Sequence, residues 1–369
     1  MAKMSTHNLL YKIALTLIPN IGPVQAKLLL QHFEVEEIFK AKRSSLEKIV
    51  GVASANNIKS FNNFPTAEEE ISFIEKFKVS TFFITDEKYP KRLLNCYDSP
   101  TLLYYRGETD LNVSKIVAIV GTRTNTDYGK QLTENFVNDL TAMNVLIVSG
   151  LAHGIDGIAH KAALKNNLPT VGVIAHGLDQ VYPSQHTNLA KDMVKNDGGI
   201  LTEFRSKTAP DKYNFPTRNR IVAGMSDATV VIETGIKGGS IITAELANGY
   251  NKDVFAFPGR TTDLKSAGCN HLIKSNKAIL LTRAQDLIDL MGWEEHKQNT
   301  KKKNQKELFI ELTEDEKLIV NILKEKEEVH IDELNFKSNL NTGTVATAIL
   351  NLELQNVIAS LPGKLYRLT

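Results

Sequence analysis

Between residues 205 and 220 the chain sets Arg205, Lys207, Lys212, Arg218 and Arg220 against a single acid, Asp211. The formal net charge of the 369 residues is only +2, so this is a local patch and not part of an overall basic coat. The stretch NFPTRNRIVAG, residues 214–224, places Phe215 among these cations and ahead of an apolar run. Any polyanion partner must therefore be met by this patch and not by global charge. The structural alternative for Phe215 is burial under the helix that follows it.

Other strings carry anion chemistry. GTRTNTDYGK, residues 121–130, has seven residues between Gly121 and Gly129, and Gln131 follows Lys130. It therefore fits neither a dinucleotide fingerprint nor a Walker loop. What remains is Arg123 just beyond a strand end, placed to hold a phosphate bidentately. In ETGIKGGSIITAELA, residues 233–247, Gly238, Gly239 and Ser240 open a helix whose N–H groups and hydroxyls suit a phosphate or simple capping. SGLAHGIDGIAHKAAL, residues 149–164, offers His153, Asp156 and His160, but no third ligand stands in register for a metal. Asp156 is expected to cap its helix and His160 to bond locally. No nucleophile triad or paired-carboxylate spacing stands out, and no cofactor or metal is expected.

The elements that must position these residues are legible from apolar patterning. IVAIV (116–120), VLIVSG (145–150), TVGVIA (170–175), GILTEF (199–204), ATVVIE (228–233) and DVFAFPG (253–259) are continuous apolar runs separated by amphipathic stretches. They predict strands buried on both faces in a parallel, doubly wound α/β sheet of Rossmann-like type. Gly121, Gly150, Gly177, Gly235 and Gly259 end these strands or open the loops after them, where backbone can approach an anion closely or close a tight turn. Residues 81–115 are expected to add an edge piece.

Residues 1–80 predict short helices. IPNIGPVQAKLLLQHF (18–33) and IVGVASANNIKSF (49–61) each place a glycine turn before a helix, a SAM or helix-hairpin-helix-like arrangement. It can hold a phosphate or serve as a packing module. Residues 294–306 are wholly polar and predict a linker. From 307 to 369 the chain predicts a winged helix. Thr313 and Glu316 form a capping box, and Leu318, Ile319, Ile322 and Leu323 form one face of the first helix. A short helix near Ile331 and Leu334 follows, then a third through Val345, Ile349 and Leu352, then a hairpin turning at Pro362 and Gly363. The domain expectation is thus 1–80, 81–293, a linker and 307–369.

Cys96 and Cys269 make neither a disulfide framework nor a zinc spacing, and both are expected to be buried thiols in a reducing cytosol. The N-terminus lacks a long apolar segment and no run approaches membrane-spanning length, so a soluble cytoplasmic protein is expected.

In order, VGTRTNTDYG, SGLAHGIDGIAHKAAL, GLDQVYPSQHTNL, NFPTRNRIVAG, GGSIITAELA and PGRTTDLKSAGCNHLI resemble the DprA/Smf family, DNA-processing protein A of bacterial natural transformation. The resemblance runs from about residue 10 to the C-terminus. It implies a dimer that binds and protects incoming single-stranded DNA and loads the RecA recombinase, with no catalytic role. The family's G-S-R loop falls on Gly121, Thr122 and Arg123, threonine standing where serine is usual. Its Lys-x-x-Phe element falls on Lys212 and Phe215, and its R-N-R on Arg218 and Asn219, with Gly239 and Ser240 completing the implied DNA site. Phe215 is then the base platform and Arg218 the backbone clamp. Arg220, two residues further on, faces away on a helix and is expected to pair with Glu203 or Glu233.

The winged helix is a poor duplex reader. Its third helix, 341–355, has no lysine or arginine, and residues 307–369 hold six basic and eleven acidic residues, a net of −5. It is expected to contact protein. Two rival readings stand beside the resemblance. Gly238, Gly239 and Glu245 keep the glycine-to-glutamate spacing of the lysine-decarboxylase-like phosphoribohydrolases, but Ile241 replaces the inner glycine and Thr243 is displaced by one. A purely structural adaptor is opposed by the cluster at 205–220.

Overall fold

The computed structural model describes residues 2–293 and 312–368, apart from 325, 327, 356, 362 and 363. The expected linker at 294–306, the start of the winged-helix segment at 307–311 and the hairpin turn at Pro362–Gly363 lie outside the described residues. The chain divides into two compact units, residues 1–295 and 296–369.

In the first unit the apolar runs form strands, in chain order β1 (Ser80–Phe83), β2 (Leu102–Gly107), β3 (Ile116–Val120), β4 (Leu146–Ser149), β5 (Thr170–Val173), β6 (Gly199–Thr202), β7 (Ala228–Val231), β8 (Asp253–Ala256) and β9 (Ile279–Leu280). They lie in the order β1-β2-β6-β5-β4-β3-β7-β8-β9. From β6 through β9 every neighbour is parallel. The edge piece from 81–115 is the antiparallel pair β1 and β2, joined to β6 with Tyr104 opposite Thr202.

Side chains of one strand feed two cores, as a period of two requires. Ile116, Ala118 and Val120 enter a cluster shared with the N-terminal helices, while Val117 and Ile119 enter one on the other face. Each such buried aliphatic side chain contributes roughly 1.5–3 kcal/mol. Reversal of the strand order at β3 puts the switch point between β3 and β7, where loops from strand ends diverge and leave a crevice.

The N-terminal helices are Ala2–Leu17, Pro23–Leu30, Val35–Lys40, Arg43–Lys59 and Phe64–Phe77. The second glycine turn is an interruption in Arg43–Lys59, where Gly51 adopts φ 81°. Ile13, Leu29 and Leu46 share one core with Leu103 and Val148 of the sheet. Polar contacts join the same surfaces. Glu70 of the fifth helix is buried and accepts from the Ser206 N–H at 2.9 Å and its hydroxyl at 2.6 Å.

The second unit holds helices Glu314–Lys324, Ile331–Ser338 and Thr342–Leu354 with strands β10 (Val329–His330), β11 (Ile358–Leu361) and β12 (Leu365–Leu368), ordered β10-β12-β11. The expected capping box is present: Thr313 N–H donates to Glu316 Oε2 at 2.8 Å, and Glu316 N–H to Thr313 Oγ1 at 3.3 Å. Val345, Ile349 and Leu352 are buried as expected. One residue departs from the expected face: Leu318 is exposed and Val320 is buried in its place, because the buried stripe is centred on Ile319 and Leu323.

Both cysteines are free and buried, and burial pushes the Cys96 thiol up to about 11. Among the described residues no helix is long and apolar enough to cross a membrane.

Candidate functional site

A cavity of about 440 Å³ opens at the switch point, beyond the carboxyl ends of β3, β4 and β7. Gly121, Thr122, Arg123, Lys212, Phe215, Arg218, Asn219, Gly239 and Ser240 all line it. Residues far apart in the chain are thus brought to one wall by the reversal of strand order. Glu245, the acid of the phosphoribohydrolase spacing, is outside the lining. It is exposed and pairs with Lys277 at 2.9 Å.

Arg123 and Phe215 meet directly. The Arg123 guanidinium carbon lies 5.0 Å from the centroid of the Phe215 ring, within cation–π range. On another side the Tyr182 ring lies 6.0 Å from Phe215 with planes at 48°. Phe215 is half-buried, and Arg123 is exposed. Lys212 is exposed as well, its Nζ 4.9 Å over the ring of Tyr213. Two cations, Arg123 and Lys212, and the Phe215 ring therefore face the cavity, while Tyr182 and Tyr213 lie outside its lining.

The loop bearing Arg123 is held by its neighbours. Thr122 N–H donates to the Glu233 carbonyl at 2.7 Å, and the Glu233 carboxylate accepts from Thr126 N–H at 2.9 Å and the Thr126 hydroxyl at 2.6 Å. Gly154 crosses the loop closely. It sits at φ 76°, and a Cβ there would lie 2.2 Å from the Thr122 carbonyl oxygen. Only glycine fits both constraints.

Arg218 is the floor of the cavity and not a surface clamp. It is only 4% exposed, with Nη1 donating to the carbonyls of Gly150 at 2.5 Å and Val173, and Nε to Asn219 Oδ1 at 3.1 Å. The resemblance implied a backbone clamp here; in the fold the side chain lines the cavity while nearly covered, with Nη1 directed at carbonyls at the strand ends. Burial lowers its pKa to about 10, against the opposing charge of Asp156. It remains a cation at neutral pH.

Asp156 does not cap its helix as expected. Gly154 is the N-cap of helix Ile155–Lys165, and the Asp156 carboxylate turns back to accept from the Gly150 N–H at 3.2 Å. Burial raises its pKa, and the charge of Arg218 opposes that. A Cβ on Gly150 would sit 2.5 Å from the guanidinium and 2.6 Å from Asp156 Oδ2, so glycine at this strand end lets the two charges approach. His160 bonds locally as expected, its Nδ1 at 2.7 Å from the Thr170 hydroxyl. Among the described residues no group of three or more histidine, cysteine or acidic side chains is arranged to hold a metal.

Arg220 pairs with Glu203, the first of its two expected partners, in a buried ion pair. Glu233 is engaged instead with Thr126. Opposite the floor, helix Gly239–Gly249 points its N-terminus at the cavity. The Ser240 Oγ there is buried and has no hydrogen-bond partner among the described residues, and the positive end of the helix favours an anion.

Asp156 and Tyr182 were missed by sequence reasoning. An acid six residues beyond a strand-end glycine looks like a helix cap, and Tyr182 in VYPS carries no spacing signal. Tyr182 comes against Phe215 only through the fold.

Residues 80–292 match the family model described as DNA recombination-mediator protein A, and residues 307–364 match the DprA winged helix domain. The chain belongs to the DprA/Smf family. Protein Smf of Escherichia coli is 31% identical over 89% of this chain and 89% of its own length. The DNA processing protein DprA of Streptococcus pneumoniae is 42% identical over 57% of this chain and 74% of its own. Its solved structure has a TM-score of 0.66 at 34% identity, covering 76% of this chain and 97% of that one. A Helicobacter pylori DNA processing protein A, solved to describe its single-stranded DNA binding mode, has a TM-score of 0.53 at 33% identity. It covers 58% of this chain and 96% of that one. The family thus accounts for both units, the sheet with its helices and the winged helix.

Proposed function

We propose that this protein binds single-stranded DNA during natural transformation, protects the incoming strand and loads the RecA recombinase onto it, acting as a cytoplasmic homodimer. One observation carries the reading: nine residues nominated for DNA binding line a single cavity at the switch point of the sheet. In it, Phe215 is the platform for an unstacked base, Arg123 and Lys212 meet the backbone phosphates, and the Gly239–Ser240 end of a helix receives another phosphate. Arg218 holds the floor. The reading needs no cofactor and assigns no covalent step.

The winged helix, with its net charge of −5 over 307–369, is proposed to contact protein and not DNA. The exposed Leu350 and Leu354 on its third helix suit that role. Within the proposed organisation a helical segment, 1–80, precedes the Rossmann-like DNA-binding domain at 81–293, which the linker 294–306 joins to the winged helix at 307–369.

The test is a salt-dependent binding titration with single- and double-stranded oligonucleotides on wild type, Arg123→Ala and Lys212→Ala. Preference for the single strand and a salt slope reduced by about one in each variant are expected. Equal loss of affinity for duplex would sink the assignment. Light scattering on the full chain tests the dimer, and deletion of 307–369 tests the winged helix, which on this reading leaves single-strand affinity within tenfold.

A further inference from the structure

Beside the first cavity lies a larger one, of about 940 Å³, whose residues, Glu233 apart, fall within VGTRTNTDYG and PGRTTDLKSAGCNHLI but outside the DNA site that the resemblance implies. Its walls are Thr126 and Tyr128 after β3, Glu233 after β7, and the loop 258–265 after β8. Tyr128 is 52% exposed, with its hydroxyl 3.5 Å from the Pro258 carbonyl, so its ring lies along the wall. Arg260 is exposed and, among the described residues, has no ion-pair or hydrogen-bond partner for its side chain. Two acids are present. Glu233 is committed to Thr126, and Asp263 is the exposed one left to oppose Arg260 and Lys265.

The two cavities share a boundary. Lys265 Nζ donates to the carbonyl of Thr124 and lies 3.2 Å from its hydroxyl. Thr124 stands between Arg123 of the first lining and Thr126 of the second. In the loops after the adjacent strands β7 and β8, the Leu264 carbonyl oxygen would lie 3.6 Å from a Cβ on Gly235, a residue of the first lining. A strand leaving Arg123 along this boundary would meet an exposed aromatic ring, Tyr128, and two more cations, Arg260 and Lys265, with Asp263 the one exposed acid of the lining.

We propose that the second cavity takes the adjoining nucleotides of the same single strand, with Tyr128 under a base and Arg260 and Lys265 on phosphates. This rests on the single-strand reading of the first cavity and extends it to a second subsite. The chemistry is the same, a cation for each phosphate and an aromatic plane for a base, without readout of base edges.

The experiment measures binding of fluorescent oligothymidylates of four and of twenty residues to the full chain. The proteins are wild type, Arg123→Ala, Tyr128→Ala, Arg260→Ala and, as a control for loss of one charge, Arg106→Ala on the opposite sheet edge. Tyr128→Ala and Arg260→Ala should each weaken the long strand about fivefold or more and leave the short one unchanged, since loss of a stacking platform is felt only by nucleotides that reach it. Arg260→Ala should also lower the salt slope for the long strand by about one. Arg123→Ala should weaken both lengths. Unchanged affinity for the long strand in Tyr128→Ala and Arg260→Ala, equal loss at both lengths, or an equal loss in Arg106→Ala would overturn the second subsite while leaving the first intact. If Arg123→Ala bound the long strand as well as wild type, the single-strand reading would fall and the second subsite with it.

Discussion

The Arg123 guanidinium lies 5.0 Å from the centroid of the Phe215 ring, joining the loop after β3 to the helix Asn214–Gly224 across the mouth of the cavity. An exposed cation–π contact contributes about 0.5–1 kcal/mol, so either side chain can be removed without unfolding the protein. Arg123→Ala is therefore expected to lower single-strand affinity about tenfold or more while the urea midpoint stays within error. Arg123→Lys, which keeps the charge but not the plane, should fall between the two. Fluorescence anisotropy on the three proteins checks the order.

Arg218 should behave in the opposite way. Its guanidinium is buried on the Gly150 and Val173 carbonyls and opposes the Asp156 charge. Arg218→Met leaves those acceptors unpaired and the buried Asp156 carboxylate without its opposing charge, a loss of about 3–5 kcal/mol. Urea unfolding should show it, and the double variant with Asp156→Asn should cost less than the sum of the two single changes. A surface clamp would instead lose affinity with no change in stability.

Glu70 links the N-terminal helices to the basic segment. It accepts from the Ser206 N–H and hydroxyl, and Ser206 lies six residues before Lys212. Glu70→Ala is expected to cost about 1–3 kcal/mol by leaving a buried donor unpaired. It should also raise amide exchange across 205–212 and weaken single-strand binding a few-fold. Glu69, whose pair with Lys207 is exposed on both sides, serves as the contrast: Glu69→Ala should change neither exchange nor affinity.

A pH dependence follows from His160. It is fully buried, and the Thr170 hydroxyl beside it donates to the Ile147 carbonyl, so Nδ1 carries the imidazole proton and donates to Thr170 while Nε2 has no partner. Burial, with His186 and Arg218 adding, pushes its pKa down from 6.5 to about 3. Below pH 6.5 the unfolded chain takes up this proton and the folded chain does not. The stability contribution is complete above that pH and is lost as pH falls toward about 3. His160→Gln, which cannot titrate, should flatten the fall in urea midpoint between those limits. Parallel curves for the two proteins would count against it.

Much of the fold was legible because buried parallel strands leave a plain mark. IVAIV and ATVVIE are apolar on both faces and became β3 and β7 side by side. The strands are shorter than their apolar runs: β5 ends at Val173 and β7 at Val231, although Ile174 and Ile232 still donate to Leu201 and Val120 of the neighbouring strands. The winged-helix cap at Thr313 and Glu316 is a local device and was readable as such. Leu318 was not, because which side of a helix is covered depends on what packs against it.

The composition of the site was likewise present in the chain. Arg123, Lys212, Phe215, Gly239 and Ser240 could be nominated from residue type, spacing and family resemblance, since cations, rings and glycine turns suit a polyanion wherever they are held. Their roles were decided by tertiary structure. Arg218 and Arg220 are both arginines of one short helix, yet Arg218 is held on strand-end carbonyls and Arg220 on Glu203, while Arg123 stays free to stack on Phe215. The physical reason is desolvation. A guanidinium buried in the sheet must satisfy its nitrogens with protein oxygens, whereas an exposed one keeps them for a ligand, and only the folded chain fixes which is buried.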